Sequence, residues 1–181
     1  MEKFTAYRIF EENGKGHGRL VEMTLDELDA GAVVIRTAYS SVNFKDALAG
    51  TGAGRIVRRY PCVGGIDLSG TVVSSSDSRF KAGDEVICMS YDFAMAHDGG
   101  YASYARVPAD WVVPLPAGLT LFDAMALGTA GYTSGLAVHL LEHNGMTPAM
   151  GKVVVNGATG GCASIAIDML AGLGYQVTAV T

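Results

Sequence analysis

The sequence predicts an α/β chain whose first half is rich in β-strand and whose last thirty residues form a single βαβ unit. Three observations carry this. Short alternating or β-branched runs recur through the first 120 residues, with turn signals between them at roughly 8–12-residue spacing. A helical pattern takes over after Leu119. A strand, a glycine-rich turn, a helix and a second strand then follow in the order of a βαβ unit of about 30 residues.

The expected strands run from Phe4 to Phe10, Ala32 to Ser40, Ser69 to Ser74, Glu85 to Ser90 and Tyr101 to Val107. Asn13-Gly14, Gly64-Gly65, Ala82-Gly83-Asp84, Gly99-Gly100 and Pro114 to Gly118 separate them. This spacing suits a compact barrel or sandwich. Thr120, with an acid at Asp123, reads as a helix N-cap. Apolar residues recur at Met125, Ala126, Leu136, Leu140 and Leu141, and Gly145 and Pro148 end the helix. We place the domain boundary there: residues 1–119 and residues 120–181. Lys152 to Val155 reads as an all-apolar strand of the buried parallel kind. The following helix carries Ile165, Ala166, Met169, Leu170 and Leu173 on one face, and Tyr175 to Val180 returns as a strand.

Composition excludes several classes. The 181 residues are 49% hydrophobic and 17% charged, too apolar and too weakly charged for disorder. With 13 basic and 18 acidic residues the net charge is −5, so no basic excess exists to neutralise a nucleic-acid backbone. Cys62, Cys88 and Cys162 are an odd number with no C-x-x-C pair, which reads as three reduced thiols and a cytoplasmic protein. The first residues lack the pattern of a signal peptide. Ala124 to Leu141 is free of formal charge, but its glycines, hydroxyls and His139 fit a buried helix better than a membrane span.

Gly157, Gly160 and Ala163 lie at i, i+3, i+6 between the strand and the helix. Such a turn frees backbone N–H groups, and the positive end of the helix then attracts a pyrophosphate. The small third residue lets helix and strand pack closely. A tight βα turn without a ligand fits the same residues. An acid about 20 residues after the first glycine would bind the ribose hydroxyls of NAD. Val177 to Thr181 offers none, which favours NADP.

Several further stretches, with this turn, resemble one family. They are Ser40-Ser-Val-Asn-Phe-Lys-Asp-Ala-Leu48, Gly54-Arg-Ile-Val-Arg-Arg-Tyr-Pro61, Gly64-Gly-Ile-Asp-Leu-Ser-Gly-Thr71, Arg79-Phe-Lys-Ala-Gly-Asp-Glu-Val86, Gly99 to Trp111, Gly128-Thr-Ala-Gly-Tyr-Thr133 and Asn156 to Ser164. Together they resemble the zinc-free branch of the medium-chain dehydrogenase/reductase superfamily, the quinone oxidoreductase-like enzymes, and within it the acryloyl-CoA reductases. The resemblance implies a GroES-like barrel domain followed by a Rossmann domain. The chain then reads as truncated: a GroES-like portion without its return segment, plus the first βαβ of the Rossmann domain. Zinc-dependent relatives place a cysteine and a histidine where this sequence has Asn43 and Asp67. A neutral amide is a poor zinc ligand, so no metal is expected.

The resemblance further implies an NADPH-dependent reduction of a conjugated double bond, on acryloyl-CoA, or alternatively on a quinone or another enone. An inactive nucleotide-binding or interaction fragment is the alternative of a different class. Asn43 and Lys45 could donate to a developing oxyanion, and Asp67 could orient Asn43 or relay a proton. Equally, Asn43 could be a turn former and Asp67 a loop acid. The resemblance places Phe44 against the nicotinamide and Thr129 and Thr133 beside it. It assigns the phosphate loop to Gly157, Thr159, Gly160, Gly161, Cys162 and Ala163, with Thr181 where the ribose is read. It also implies a homodimer for the full-length protein. Arg55, Arg58 and Arg59 could meet the phosphates of a CoA substrate or form a solvated face. The stretch Ser90 to Asp98 departs from the family pattern.

Overall fold

The computed structural model describes residues 3–181, and contacts divide the chain into two compact units that meet at Gly128/Thr129. In the first unit, β1 (Phe4–Glu12) turns back into β2 (Lys15–Met23). Nine residue pairs align antiparallel, from Phe4 opposite Met23 to Glu12 opposite Lys15. The loop between them is Asn13-Gly14, with φ of 53° and 75°. Both residues are left-handed, the geometry that matches the twist of a two-residue hairpin. Sequence patterning missed β2 because Lys15-Gly-His-Gly-Arg19 has weak strand propensity. Pairing with β1 overrides it.

The chain continues through β3 (Val33–Tyr39), α1 (Phe44–Thr51), β4 (Cys62–Val63), β5 (Asp67–Ser75), β6 (Glu85–Met89), β7 (Tyr104–Val107) and β8 (Val112–Pro114). These strands form two antiparallel sheets, β2-β1-β4 and β7-β3-β5-β6-β8. The five-stranded sheet carries the main core: Val33, Ile35, Leu68, Val72, Val86 and Val107 are buried with Phe93 and Val112. A second cluster of Phe4, Ala6, Met23, Leu28 and Val63 seals the smaller sheet. Helix α1 went unread in the sequence, although its signals are there. Asn43 and Asp46 form a capping box, and Gly52 ends the helix in the left-handed conformation at φ 68°.

Helix α2 (Leu121–His143) begins as expected, with Asp123 N–H donating to Thr120 Oγ1 at 3.1 Å and Thr120 N–H donating back to Asp123. It breaks at Gly128, whose φ of 51° and ψ of −154° are not helical. The first unit extends nine residues past the composition shift at 119. Ser69 Oγ donates to the Leu121 carbonyl at 2.6 Å, and the Tyr39 and Phe122 rings meet edge to face.

The second unit holds the rest of α2, β9 (Val153–Asn156), α3 (Gly161–Gly172) and β10 (Val177–Val180). The two strands pair in parallel from Val177 opposite Val153 to Val180 opposite Asn156. Val138, Leu170 and Tyr175 make its small core. The buried-strand reading of Lys152 to Val155 is corrected here: Val154 is 64% exposed, and Val153 and Val155 are half-buried. The apolar face expected on α3 is also only partly covered, with Leu170 buried and Leu173 exposed, and Leu136, Leu140 and Leu141 on α2 are exposed too. Parallel strands are buried on both sides only when helices cover both faces; here Val153, Val155 and Val177 pack against Val138, Leu170 and Tyr175, and Val154 is left exposed. No helix among the described residues is long and apolar enough to cross a membrane.

A buried carboxylate braces the first unit. Asp98 accepts N–H groups from Val63 at 2.8 Å and Asp29 at 3.1 Å, and Asp29 accepts Asp98 N–H at 2.8 Å. Arg59 bonds Asp29 and lies 3.7 Å from Asp98. Asp98→Ala leaves the buried Val63 N–H and the partly buried Asp29 N–H without their acceptor, while Arg59 keeps Asp29, and is expected to cost about 1–3 kcal/mol. Asp98→Asn is expected to cost less. Urea unfolding of the two variants beside the wild type measures both.

Candidate active site

Asp67 opens β5 with a side chain wholly removed from solvent. A buried carboxylate must be hydrogen-bonded to keep its charge. The turn between β3 and α1 meets that demand. Ser41 donates twice, through its N–H to Oδ1 at 2.9 Å and its hydroxyl to Oδ2 at 2.6 Å. Asn43 Nδ2 donates to the same Oδ2 at 3.1 Å and to Ser41 Oγ at 2.9 Å. Ser40 Oγ donates to the Asp67 carbonyl at 2.6 Å. The structure therefore brings Asn43 and Asp67 together, with Ser41 as the third member of the group. Sequence reasoning missed Ser41; the doublet Ser40-Ser41 ahead of Asn43 was the available signal.

The distances define how the Asn43 amide is used. Nδ2, Ser41 Oγ and Asp67 Oδ2 form a triangle whose angle at Nδ2 is about 51°. The two hydrogens of a planar amide diverge by about 120°. The two acceptors are close enough for one N–H to serve both, and no further acceptor for the amide lies among the described residues. Asn43 also starts α1, its main-chain N–H donating to Asp46 Oδ2 at 2.9 Å. Asp46 is buried and accepts Ile66 N–H at 3.2 Å as well. Tyr101 donates its hydroxyl to the Ser41 carbonyl at 2.9 Å. Burial, and then the nearby Asp46 carboxylate, push the Tyr101 phenol above its usual range. Tyr7, Val42, Asp46, Ala47 and Tyr101 line a cavity of about 320 Å³ beside this group.

Gly128 lies against the same carboxylate. A Cβ there would stand 2.7 Å from Ser41 Oγ and 3.2 Å from Asp67 Oδ2, in a backbone region essentially closed to other residues. Lys45 does not join the group: it is exposed and has no hydrogen bond or ion pair among the described residues. Phe44 is 80% exposed on the first turn of α1. Of the three arginines that could meet phosphates or form a solvated face, Arg58 makes an exposed pair with Asp92, and Arg59 pairs with Asp29 and lies near Asp98. The divergent stretch Ser90 to Asp98 folds back tightly, with left-handed Ser90, Tyr91 and Ala94, and stacks Tyr91 on Trp111. His139 and His143 lie 6.3 Å apart, and no metal-holding group of three or more His, Cys, Asp or Glu forms among the described residues.

In the second unit the glycine turn leaves the start of α3 open. Gly157 is left-handed at φ 68°, and its N–H donates to Asn156 Oδ1. Gly160 donates to the Gly157 carbonyl at 2.9 Å and caps α3. The N–H groups of Gly161, Cys162 and Ala163 open the helix without an acceptor among the described residues, as the first turn of any helix does. No atom lies within 4 Å of where a Gly157 side chain would begin. Open space beside free donors at a helix N-terminus fits a pyrophosphate. Ser134 Oγ donates to the Cys162 carbonyl at 2.7 Å and ties α3 to α2. Thr159 is exposed, and Thr181 follows β10, whose Val180 carbonyl accepts Ala158 N–H in the turn. Thr133 turns its hydroxyl back to the Thr129 carbonyl at 2.7 Å.

Residues 29–117 match the alcohol dehydrogenase GroES-like domain. Over 171 residues, 94% of this chain and 52% of the relative, the sequence is 50% identical to the acrylyl-CoA reductase AcuI of Ruegeria pomeroyi. The chain belongs to the medium-chain dehydrogenase/reductase superfamily. Within that superfamily the yhdH oxidoreductase of Salmonella enterica, solved in complex with NADP, superposes with a TM-score of 0.95 at 46% identity. The match covers 98% of this chain and 55% of that one. The yhfP protein of Bacillus subtilis, solved with NAD bound, gives 0.95 at 47% identity over 99% and 54% of the two chains. The chain spans about half the length of the curated relatives it matches.

Two measurements probe this superfamily member's site. Burial pushes the Cys62 and Cys88 thiols up to about 12, whereas Cys162 is exposed. Thiolate is the reactive form, so at pH 8 a thiol of pKa 12 is about one part in ten thousand reactive, and reactivity grows as pH rises. A thiol-reactive dye is expected to titrate one cysteine in the native protein and three after denaturation. Gly128→Ala is expected to cost about 1–3 kcal/mol in backbone strain alone, read as a lower thermal midpoint.

Proposed function

We propose that the protein carrying this chain uses NADPH to reduce a conjugated carbon–carbon double bond, with acryloyl-CoA, yielding propanoyl-CoA, as its substrate. The 50% identity to an acrylyl-CoA reductase across 94% of this chain carries the proposal. NADPH, when bound, supplies the hydride that adds to the substrate's Cβ.

Hydride addition to an α,β-unsaturated thioester moves the π electrons onto the carbonyl oxygen as an enolate, which then takes a proton at Cα from water. The chain's part is to stabilise that oxygen. The uncommitted N–H of Asn43 is the donor for it, held by Asp67 and Ser41 on the other side of the amide. A fixed donor aimed at developing charge is worth about 10²–10³ in rate. Lys45, on the same turn of α1, adds positive charge, and Phe44 offers an apolar face for the nicotinamide. In the second unit Gly157, Thr159, Gly160, Gly161, Cys162 and Ala163 form the pyrophosphate cradle, with Thr129 and Thr133 toward the nicotinamide and Thr181 toward the ribose. No acid lies among Val177 to Thr181, which suits NADPH. The bound NADP in the Salmonella relative supports that choice, while the Bacillus relative was solved with NAD.

Loss of NADPH absorbance on adding substrate tests this reading in the full-length protein. Acryloyl-CoA is expected to be reduced faster than a simple quinone, and Asn43→Ala to lower kcat by about 10²–10³. A quinone turned over as fast overturns the substrate assignment. Asn43→Ala and Asp67→Ala variants within about twofold of wild type remove both residues from the mechanism.

A further inference from the structure

We infer that Ser41 is a positioning residue that fixes which end of the Asn43 amide is turned away from Asp67, and so makes Asn43 a donor rather than an acceptor. The inference rests on the reading of Asn43 as the oxyanion donor.

It follows from counting protons. Ionised, the Asp67 carboxylate only accepts hydrogen bonds. The Ser41 hydroxyl has one hydrogen, and its 2.6 Å approach to Asp67 Oδ2 commits that hydrogen to the carboxylate. Ser41 Oγ can then offer only lone pairs to Asn43, 2.9 Å away. Both atoms that face the amide are therefore acceptors, and only the NH₂ end can face them. A flipped amide would set its carbonyl oxygen against two oxygens that hold no hydrogen for it. One N–H bridges the two acceptors, and the other leaves the group about 120° from it.

The serine is itself immobilised. Its N–H donates to Asp67 Oδ1 at 2.9 Å and its carbonyl accepts the Tyr101 hydroxyl at 2.9 Å. The Gly128 backbone lies close enough that a Cβ there would touch Ser41 Oγ. The backbone bond to Asp67 survives removal of the hydroxyl, so Ser41→Ala deletes one of the amide's two acceptors, leaving the longer bond to Asp67 Oδ2, while the loop stays tied.

The test uses the full-length protein with ¹⁵N-labelled asparagine, and compares wild type, Ser41→Ala and Ser41→Thr. In wild type the two Asn43 side-chain amide protons are expected to be well separated, one exchanging slowly. Ser41→Ala is expected to narrow the separation, speed the exchange and lower kcat about tenfold or more, with KM changed less than twofold. Ser41→Thr, which keeps the hydroxyl, is expected to restore both. If Ser41→Ala does not fold, Ser41→Cys, whose thiol is a weak donor, is expected to show the same losses. Unchanged amide resonances in the alanine or cysteine variant overturn the inference. So does kcat within twofold of wild type, or a folded threonine variant that stays as slow as alanine. Shifted resonances in a protein that reduces neither acryloyl-CoA nor another enone overturn the proposed function and leave the role of Ser41 standing.

Discussion

Much of the first unit is arranged around one buried negative charge. The Asp67 side chain has no exposed surface, and a carboxylate in that setting is tolerated only if hydrogen bonds replace its lost water. Ser41 and Asn43 supply them, which requires the turn after β3 to wrap over the start of β5. The same turn supplies the capping residue of α1, so the solvation of Asp67 and the start of the helix are settled together. Space for this is bought by glycine. Gly128 lies against Ser41 and Asp67, and a Cβ at Gly100 would stand 2.3 Å from the Asp67 carbonyl oxygen.

A site built in this way is rigid for a reason that also serves chemistry. Asn43 is held at its main chain by Asp46 and at its side chain by Ser41 and Asp67. Little reorganisation is then needed when charge develops nearby, which is how fixed dipoles outperform water. Asp29, Arg59 and Asp98 form a second polar knot that ties together three segments distant in sequence. The basic residues near Gly54 to Tyr60 thus have a structural use that their charge alone did not reveal.

The second unit contrasts with this. Its glycine turn is well formed, yet several of its apolar side chains, Val154, Leu140 and Leu173 among them, are about half exposed or more. The local pattern for the βαβ unit is strong enough to set the turn, helix and parallel pairing. Burial of both faces requires helices packed on each side of the sheet, which a local pattern does not supply.

Local signals were sufficient for part of this. Asn13-Gly14 marked its turn, Thr120 with Asp123 marked a helix start, and Gly157, Gly160 and Ala163 marked the turn between strand and helix. Each rests on contacts within a few residues, where residue type limits the backbone directly. Hairpin strand β2 was not legible, because its glycines and charges become a strand only beside β1. Asn43 and Asp67 were singled out by resemblance, but their meeting was decided by tertiary structure, since 24 residues and a strand separate them. The same is true of Ser41 and Gly128, which look ordinary in sequence and converge on one carboxylate, and of Tyr101, which holds the Ser41 carbonyl. Residue types alone determined which groups could accept or donate. Only the fold decided which atoms faced one another, because the burial that makes those hydrogen bonds obligatory exists only once the strands have closed over Asp67.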